Sequence, residues 1–404
     1  MTNDVTQKLL KHAAFQAALQ HIDADYDRFI EELITLTEIP APPFKEERKA
    51  AAYLEMMKEA GLEDVECDEI GNTCGVIRGS GNDGHIVVAA HLDTVFPEGT
   101  DVTVRREGSK LFAPGIGDDT RGLAANLTLM RAIKQSGIRP KKTILFVGDV
   151  GEEGKGDLRG IRHLFTKGKY RDRIDGFLSV DGPETARIVT QGVGSYRYRV
   201  TFNGPGGHSY GAFGTVNPAY AMAQVLTGLS QLHLPAEPKT TATPSVFAGG
   251  TSINATPEQV WFELDLRSVS QQELDRIDGE FHALLEEAVA AENARGDIST
   301  GKITAEAKRV GNRPAGAMAS DAPIVLTSLD AVKAFGFEPR LMASSTDANI
   351  PISMGVPAVC IGSGSGVGGR THSIDEWIDV EREPQLRSLH ALLAVVLSIT
   401  DLED

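Results

Sequence analysis

The sequence has few cysteines and no cysteine framework. Cys67, Cys74 and Cys360 make an odd number, and none of them forms the Cys-x-x-Cys spacing of a structural zinc knuckle. A scaffold held together by disulfides is therefore not indicated. We expect all three cysteines to be reduced packing residues.

Positive charge and long apolar runs are also scarce. The chain has 40 Lys and Arg against 56 Asp and Glu, a formal net charge of -16. A nucleic-acid surface normally requires a basic patch, so we expect no nucleic-acid partner. No apolar run is long enough to span a bilayer, and the amino terminus lacks the apolar core of a signal peptide. We therefore expect no membrane partner and a cytoplasmic location.

Two adjacent carboxylates, Glu152 and Glu153, follow an apolar run at residues 143–148. The run is short and rich in branched and aromatic side chains, which predicts a buried strand. Open α/β sheets place their ligands at the carboxyl ends of strands. Two like charges in a partly dry cleft repel each other, so we expect a positive group, such as a metal ion, beside them.

Strands, acid-bearing loops and helices alternate along the first half of the chain and again after residue 311. This order predicts an α/β fold with a doubly wound mixed sheet whose loops converge on one edge. Residues 194–311 follow the order β-α-β-β-α-β, which is typical of a ferredoxin-like α+β domain. We expect a catalytic domain formed by residues 1–193 and 312–404, with residues 194–311 inserted into it.

Potential metal ligands occur at several strand ends and loops. They are two histidines and three carboxylates, donors that suit zinc, with manganese or cobalt as substitutes: His91, Asp118, Glu153, Asp181 and His372. Asp118 has two oxygens with which it can bridge two ions. A lone histidine at a strand end is more often structural, so it is the joint placement of five donors that indicates a metal site.

Two acids beside these ligands have different predicted roles. Asp93 lies two residues from His91 and points the same way from an extended segment, where it can orient the imidazole. Glu152 has no metal to hold, and a carboxylate beside a metal-activated water is the usual general base for hydrolysis. The alternative for Glu152 is an ordinary surface acid.

Five motifs, taken in order, resemble those of the co-catalytic zinc peptidases that include peptidase T, carboxypeptidase G, aminoacylase and succinyl-diaminopimelate desuccinylase. The motifs are His91-Leu92-Asp93, Gly117-Asp118-Asp119, Glu152-Glu153, Asp181-Gly182 and Thr371-His372-Ser373. The resemblance implies two divalent ions per chain, with zinc as the expected metal. It implies that His91 and Asp181 share one ion, that Asp118 bridges to the second, and that Glu153 and His372 complete the second site.

The resemblance also covers the inserted segment, and implies a lid domain through which the chain forms a homodimer. Gly206-Gly207-His208-Ser209 is similar to the segment whose histidine reaches the other subunit's active site and stabilises the developing oxyanion. Asn254 and Arg267 resemble residues that bind the carbonyl or carboxylate of the substrate. Each also has a simpler interpretation: a turn residue, a loop residue and a surface charge.

Two features favour different substrates. Aspartate at position 181 is typical of aminopeptidases and dipeptidases in this family, whereas Arg313-Pro314 resembles the Arg-Pro pair of carboxypeptidase G. The leading prediction is an aminopeptidase that cleaves the amide bond of short peptides, above all tripeptides. The alternative is an N-acyl amino acid deacylase or carboxypeptidase of the same family. A metal-dependent peptide-binding protein without turnover is a third hypothesis, against which the intact Glu152 counts.

Overall fold

The computed structural model describes residues 2–81 and 84–402. The chain divides into two compact units, the first formed by residues up to 192 and from 317 onward, the second by residues 193–316. The strand that closes the second unit runs to Arg313, beyond Gly311, where the sequence placed the end of the insertion. Arg313 therefore belongs to the second unit.

The helices of the described residues are α1 Thr2–Lys11, α2 Ala13–Ala24, α3 Tyr26–Thr37, α4 Glu47–Glu59, α5 Arg121–Ser136, α6 Arg159–Thr166, α7 Pro218–Ser230, α8 Gln271–Arg295, α9 Pro323–Ala334, α10 Asn349–Ser353 and α11 Arg382–Thr400. The strands are β1 Glu63–Cys67, β2 Thr73–Ile77, β3 His85–His91, β4 Arg105–Glu107, β5 Lys110–Phe112, β6 Thr143–Asp149, β7 Ile174–Val180, β8 Arg187–Gly192, β9 Gly194–Asn203, β10 Gly207–His208, β11 Thr240–Gly249, β12 Ala255–Thr256, β13 Gln259–Ser268, β14 Thr304–Arg313, β15 Gly316–Ala317, β16 Arg340–Ser344, β17 Ala358–Ile361, β18 Gly368–Gly369 and β19 Trp377–Asp379. Within residues 2–81 and 84–402, no helix combines the length and apolar character needed to cross a bilayer.

The large sheet of the first unit has the strand order β1-β2-β6-β3-β7-β17-β8, with β16 beside β8. Its central strands β6, β3, β7 and β17 are parallel, while β1 with β2, β2 with β6, and β17 with β8 are antiparallel. The predicted mixed α/β sheet is confirmed. Because the central strands point the same way, the loops that follow β3, β6 and β7 emerge at one edge of the sheet.

The central strands of the first unit are almost continuously apolar, and both of their faces are buried. Every residue of β3 is buried, as expected for a parallel strand covered by helices on both faces. Cys74 and Cys360 are buried, as packing residues should be. Cys67 is exposed, so the prediction is wrong for that residue. The reason is its place in β1, which lies at the edge of the sheet.

The second unit is a four-stranded antiparallel sheet with two helices. The strand order of this sheet is β11-β13-β9-β14, and the chain passes through β9, β10, α7, β11, β12, β13, α8 and β14 in turn. Strands β10 and β12 pair with each other in a separate two-stranded sheet. Burial alternates along β13, as expected for a strand with one face on a core. The buried face, with Phe262 at its centre, packs with α7 and α8 through residues such as Val225 and Phe281. The four strands of the larger sheet and the two helices follow the expected order β-α-β-β-α-β, with β10 and β12 in addition.

Helix α5 is anchored by Arg131. Arg131 is 2% exposed, and its guanidinium donates to both carboxylate oxygens of Glu32 on α3, at 2.8 and 2.9 Å. It also donates to Asp25 at 2.6 Å. Burial raises the pKa of Glu32, and the charge of Arg131 opposes that rise. This network fixes the helix whose first turn follows Asp118.

Replacing Arg131 with methionine leaves Glu32 buried, and its remaining cationic partner among the described residues is Arg28, which is more exposed. We expect the free energy of unfolding of the first unit to fall by about 3 kcal/mol, as for other broken buried ion pairs. Urea denaturation measures this loss. The control is Arg78→Met, which removes an exposed cation paired with Glu63 and Asp64 and should cost at most about 1 kcal/mol. Equal losses in the two variants would contradict the anchoring role of Arg131.

Candidate metal centre

Three of the expected ligands follow neighbouring parallel strands. His91 is the last residue of β3, Glu153 comes after the end of β6, and Asp181 directly follows β7. The three strands are adjacent in the sheet, in the order β6-β3-β7. Their carboxyl ends therefore deliver an imidazole and two carboxylates to the same edge.

Two loops of the same unit supply Asp118 and His372. Asp118 lies in the turn Ile116–Thr120, which leads directly into α5. Gly115, just before this turn, has a φ of +75°, a left-handed conformation that glycine adopts readily. His372 follows the short strand β18.

The carboxylate of Asp118 lies between the two histidines. Its Oδ1 is 3.0 Å from Nε2 of His91, and its Oδ2 is 3.2 Å from Nε2 of His372. Nε2 of His372 is also 2.8 Å from Oε1 of Glu153. Each oxygen of one carboxylate thus faces a different imidazole nitrogen, which is the donor arrangement that a carboxylate bridging two ions requires.

Two groups of potential ligand atoms share His91. The first group is His91, Asp118 and Glu153, the second is His91, Asp119 and Asp181, and within each group the atoms lie within 4.8 Å of one another. The sequence did not single out Asp119. Its Oδ2 accepts the backbone N–H of His91 at 3.2 Å, while its buried Oδ1 has no hydrogen-bond partner among the described residues.

The site attracts positive charge. Burial, followed by the charge of Asp118, raises the pKa of Asp181 to about 7. Burial works against a charged His91, yet its hydrogen bond to Asp118 and the charge of Asp119 raise its pKa well above the usual range. Hydrogen bonds to Asp118 and Glu153 raise the pKa of His372 to about 10. A set of imidazole and carboxylate donors with this excess of negative charge fits divalent cations.

Asp93 connects His91 with the two glutamates. Its backbone carbonyl is 3.0 Å from Nδ1 of His91, while its carboxylate is 3.8 Å from the same nitrogen. The two carboxylate oxygens accept the backbone N–H groups of Glu152 at 3.0 Å and Glu153 at 2.9 Å. The contact expected between Asp93 and His91 therefore runs mainly through the main chain, and the carboxylate holds the turn that bears both glutamates.

Glu152 and Glu153 are both buried, at 5% and 7% exposure. The backbone of Glu153 is extended, and successive side chains of an extended segment point in opposite directions. Glu153 contacts His372. The charge of Glu152 acts on Asp347 instead, whose pKa is raised by burial, by Asp149 and then by Glu152. The two adjacent carboxylates thus have different surroundings.

Sequence reasoning missed several buried polar residues around this centre. Glu376 is 1% exposed and accepts three backbone N–H groups from the turn that carries Asp118. Arg121, fully buried at the start of α5, donates to the carbonyl of Gly182 and to the hydroxyl of Ser363. The only sequence signal for Glu376 is an acid four residues after His372.

The remaining predicted site residues lie in the second unit, where His208 and Asn254 are close to each other. His208 belongs to β10, which pairs with β12, and the carbonyl of Asn254 accepts the N–H of Ser209 at 3.0 Å. Nδ1 of His208 accepts the N–H groups of Tyr210 and Gly211, both at 3.2 Å. Because Nδ1 accepts, the proton of the neutral ring lies on Nε2, which is then a donor.

Arg267 and Arg313 lie on strands β13 and β14, on either side of β9. Both are in register with Ser195, so the three residues form a row across the sheet. Residues in register project from the same face of a sheet, with neighbouring strands about 4.8 Å apart. Arg267 also donates to Asp265 at 2.8 Å, and Arg313 is buried at 4% exposure.

The chain is similar to a curated relative and to several solved structures. It is 29% identical over 133 residues to carboxypeptidase G2 from Pseudomonas sp. (strain RS-16), a match that spans 32% of either chain and thus about a third of that relative. The structure of aminopeptidase PepT from Bacillus cereus ATCC 10987 matches with a TM-score of 0.76 and 20% identity, over 93% of this chain and 99% of that one.

Two further structures match over most of their length. A tripeptidase from Staphylococcus aureus subsp. aureus Mu50 has a TM-score of 0.74 and 21% identity, over 93% of this chain and 97% of that one. A dinuclear metal-binding peptidase from Bacillus subtilis has a TM-score of 0.67 and 16% identity, over 94% and 99%. At these identities the structural likeness shows a shared fold.

The mixed α/β fold carries a cluster of carboxylates and imidazoles suited to divalent cations at one edge of its sheet. Residues 87–398 match the model of Peptidase family M20/M25/M40, a range that contains all five expected ligands. The chain therefore belongs to Peptidase family M20/M25/M40.

Removing bound cations should destabilise the first unit, because the carboxylates at the site then repel one another without compensation. We expect a chelator to lower the Tm measured by differential scanning fluorimetry, and zinc to restore it. In Asp118→Asn the central charge is lost, so the Tm should respond much less to zinc. A wild-type Tm that is insensitive to both chelator and zinc would contradict a metal centre.

Proposed function

We propose that this chain is a dinuclear zinc hydrolase that cleaves the amide bond of short peptides, as an aminopeptidase acting on tripeptides. The observation that carries the proposal is the Asp118 carboxylate between His91 and His372, together with the buried Glu152 next to Glu153 in the chain. A structural ion pair needs no second histidine and no adjacent buried acid. A hydrolytic centre uses both.

The donors divide into two sets. His91 and Asp181 would hold one ion, Glu153 and His372 would hold the other, and Asp118 would contribute an oxygen to each. Cobalt or manganese suits the same donors. When bound, the two ions polarise the scissile carbonyl and increase the acidity of a nearby water.

Glu152 then acts as the general base. It takes a proton from the attacking water and passes it to the leaving amine, the usual role of a carboxylate beside such a centre. Asp93 supports this role because its carboxylate holds the backbone N–H groups of Glu152 and Glu153. His208, with its proton on Nε2, has the donor needed at the developing oxyanion. We propose that it acts across a homodimer formed through the second unit.

The preference for tripeptides has two supports. Position 181 is aspartate, which favours aminopeptidases and dipeptidases within this family. Among the solved structures with the same fold are an aminopeptidase and a tripeptidase. A tripeptide presents a free amine at one end and a carboxylate at the other, and Asn254 and Arg267 are the proposed contacts for the carbonyl and carboxylate.

A second candidate is an N-acyl amino acid deacylase or carboxypeptidase. The row of Arg267, Ser195 and Arg313 favours it, because two guanidinium groups on one sheet face are suited to a carboxylate held in bidentate fashion. The partial match to carboxypeptidase G2 supports the same alternative. Both candidates use the same metal centre and differ in which end of the substrate is recognised.

Glu152→Gln tests the chemistry. The amide cannot take a proton from water, so we expect kcat to fall by about 10²- to 10⁴-fold. The metal content should stay at two ions per chain, because Glu152 is not a proposed ligand, and elemental analysis measures it. Asp375→Asn, a charge change at an exposed acid, is the control. Normal turnover by Glu152→Gln would rule out this base, and a wild-type protein that binds peptide without hydrolysis would favour the non-catalytic alternative.

Comparing substrates tests the specificity. We expect the zinc-loaded protein to hydrolyse free-amine tripeptides with a higher kcat/KM than N-acyl amino acids, because aspartate at position 181 favours aminopeptidases within this family. Dipeptides and N-acetylated tripeptides serve as controls for length and for the amine. Higher kcat/KM values for N-acyl amino acids would favour the deacylase alternative.

A further inference from the structure

Glu376 is a buried carboxylate that belongs to none of the proposed ligand sets. It lies four residues after His372 and immediately before β19. Its Oε2 accepts the N–H of Gly115 at 2.8 Å, and its Oε1 accepts those of Gly117 at 2.9 Å and Asp118 at 3.0 Å. Three hydrogen bonds thus join this one carboxylate to residues 115–118, the segment that presents Asp118.

The main chain of Glu376 reinforces this contact. Its carbonyl accepts the N–H of Ala113 at 3.1 Å, just before the same turn. Its own N–H donates to Ser373 at 3.1 Å, and the N–H of Ser373 donates to Arg370 at 3.0 Å. One residue therefore connects the segment that carries His372 with the turn that carries Asp118.

Gly117 leaves the space that this connection needs. A Cβ at position 117 would lie 2.9 Å from Oε1 of Glu376 and 3.0 Å from Cγ2 of Ile378. The backbone of Gly117 is not left-handed, so the need for glycine comes from the close approach of the carboxylate. The absence of a side chain at position 117 thus allows the Glu376 carboxylate to reach the backbone of the Asp118 turn.

We propose that Glu376 is a positioning residue that sets the separation of Asp118 and His372, and thereby holds the ligands of the second ion in place. The inference rests on the proposed metal centre. Asp118 and His372 are 3.2 Å apart although they come from loops distant in sequence. Among the described residues, the Glu376 side chain supplies three of the hydrogen bonds that hold the Asp118 turn against the His372 segment. Those three are lost without it.

Two substitutions separate geometry from charge. Glu376→Gln keeps the size but places an NH₂ group against a backbone N–H, while Glu376→Asp keeps the charge but shortens the reach. If Glu376 acts by position, both variants should bind the second zinc ion about 10- to 100-fold more weakly, the usual loss when a group that orients a ligand is removed. The first ion, held by His91, Asp181 and the other oxygen of Asp118, should lose less affinity, because only one of its proposed ligands depends on Glu376.

The measurement is zinc affinity for each site by competition with a chromophoric chelator, together with the visible spectrum of the cobalt-loaded protein. Asp375→Asn is the matched control, because it changes an exposed acid next to Glu376 that pairs with Arg370. Gly117→Ala displaces the same contact from the other side and should weaken the second ion in the same direction. Gly117→Ala therefore tests the same inference if the Glu376 variants fold poorly.

The outcomes are distinguishable. Weaker binding of the second ion in Glu376→Gln, Glu376→Asp and Gly117→Ala, with an altered cobalt spectrum, supports the inference. Wild-type affinities with only a lower Tm of the metal-free variants would overturn it, since that is what a purely structural residue gives. Wild-type binding by Glu376→Asp would show that charge alone matters and would also overturn it. If neither the wild type nor Asp375→Asn binds two ions, the proposed function itself fails.

Discussion

The carboxylate of Asp118 is the contact on which the site depends. It touches His91 on one side and His372 on the other, at 3.0 and 3.2 Å. The surrounding structure fixes each of these three groups: β3 ends at His91, α5 begins just after Asp118, and Glu376 connects the Asp118 turn with the segment of His372. The fold brings strand ends and loops together so that one anionic group lies between two imidazoles.

The closely spaced carboxylates account for the shifted pKa values of the residues at the candidate metal centre. Several acids lie within a few ångströms of one another. They raise the pKa values of His91 and His372, and burial together with Asp118 raises the pKa of Asp181 to about 7. Divalent cations relieve the repulsion among these acids. Asp93 accepts the backbone N–H groups of both adjacent glutamates, and Glu153 of the pair contacts His372.

Local sequence patterns predicted the parts of this site that depend on strand ends. The apolar run at residues 143–148 forms β6, and the acids after it lie at the sheet edge, as do His91 and Asp181. Contacts between distant segments had no such signature. Glu376 and Asp118 are 258 residues apart, and the row of Arg267, Ser195 and Arg313 depends on the register of three strands. Nor did the apolar pattern distinguish the exposed edge strand that carries Cys67 from the buried strands.

The most direct measurement is anomalous diffraction from crystals of the zinc-loaded protein, collected at the zinc absorption edge. A dinuclear centre predicts two anomalous peaks about 3.5 to 4 Å apart, one on each side of the Asp118 carboxylate. One peak should adjoin His91 and Asp181, and the other Glu153 and His372. A single peak, or peaks that do not contact Asp118, would contradict the bridging role on which the proposed hydrolysis depends.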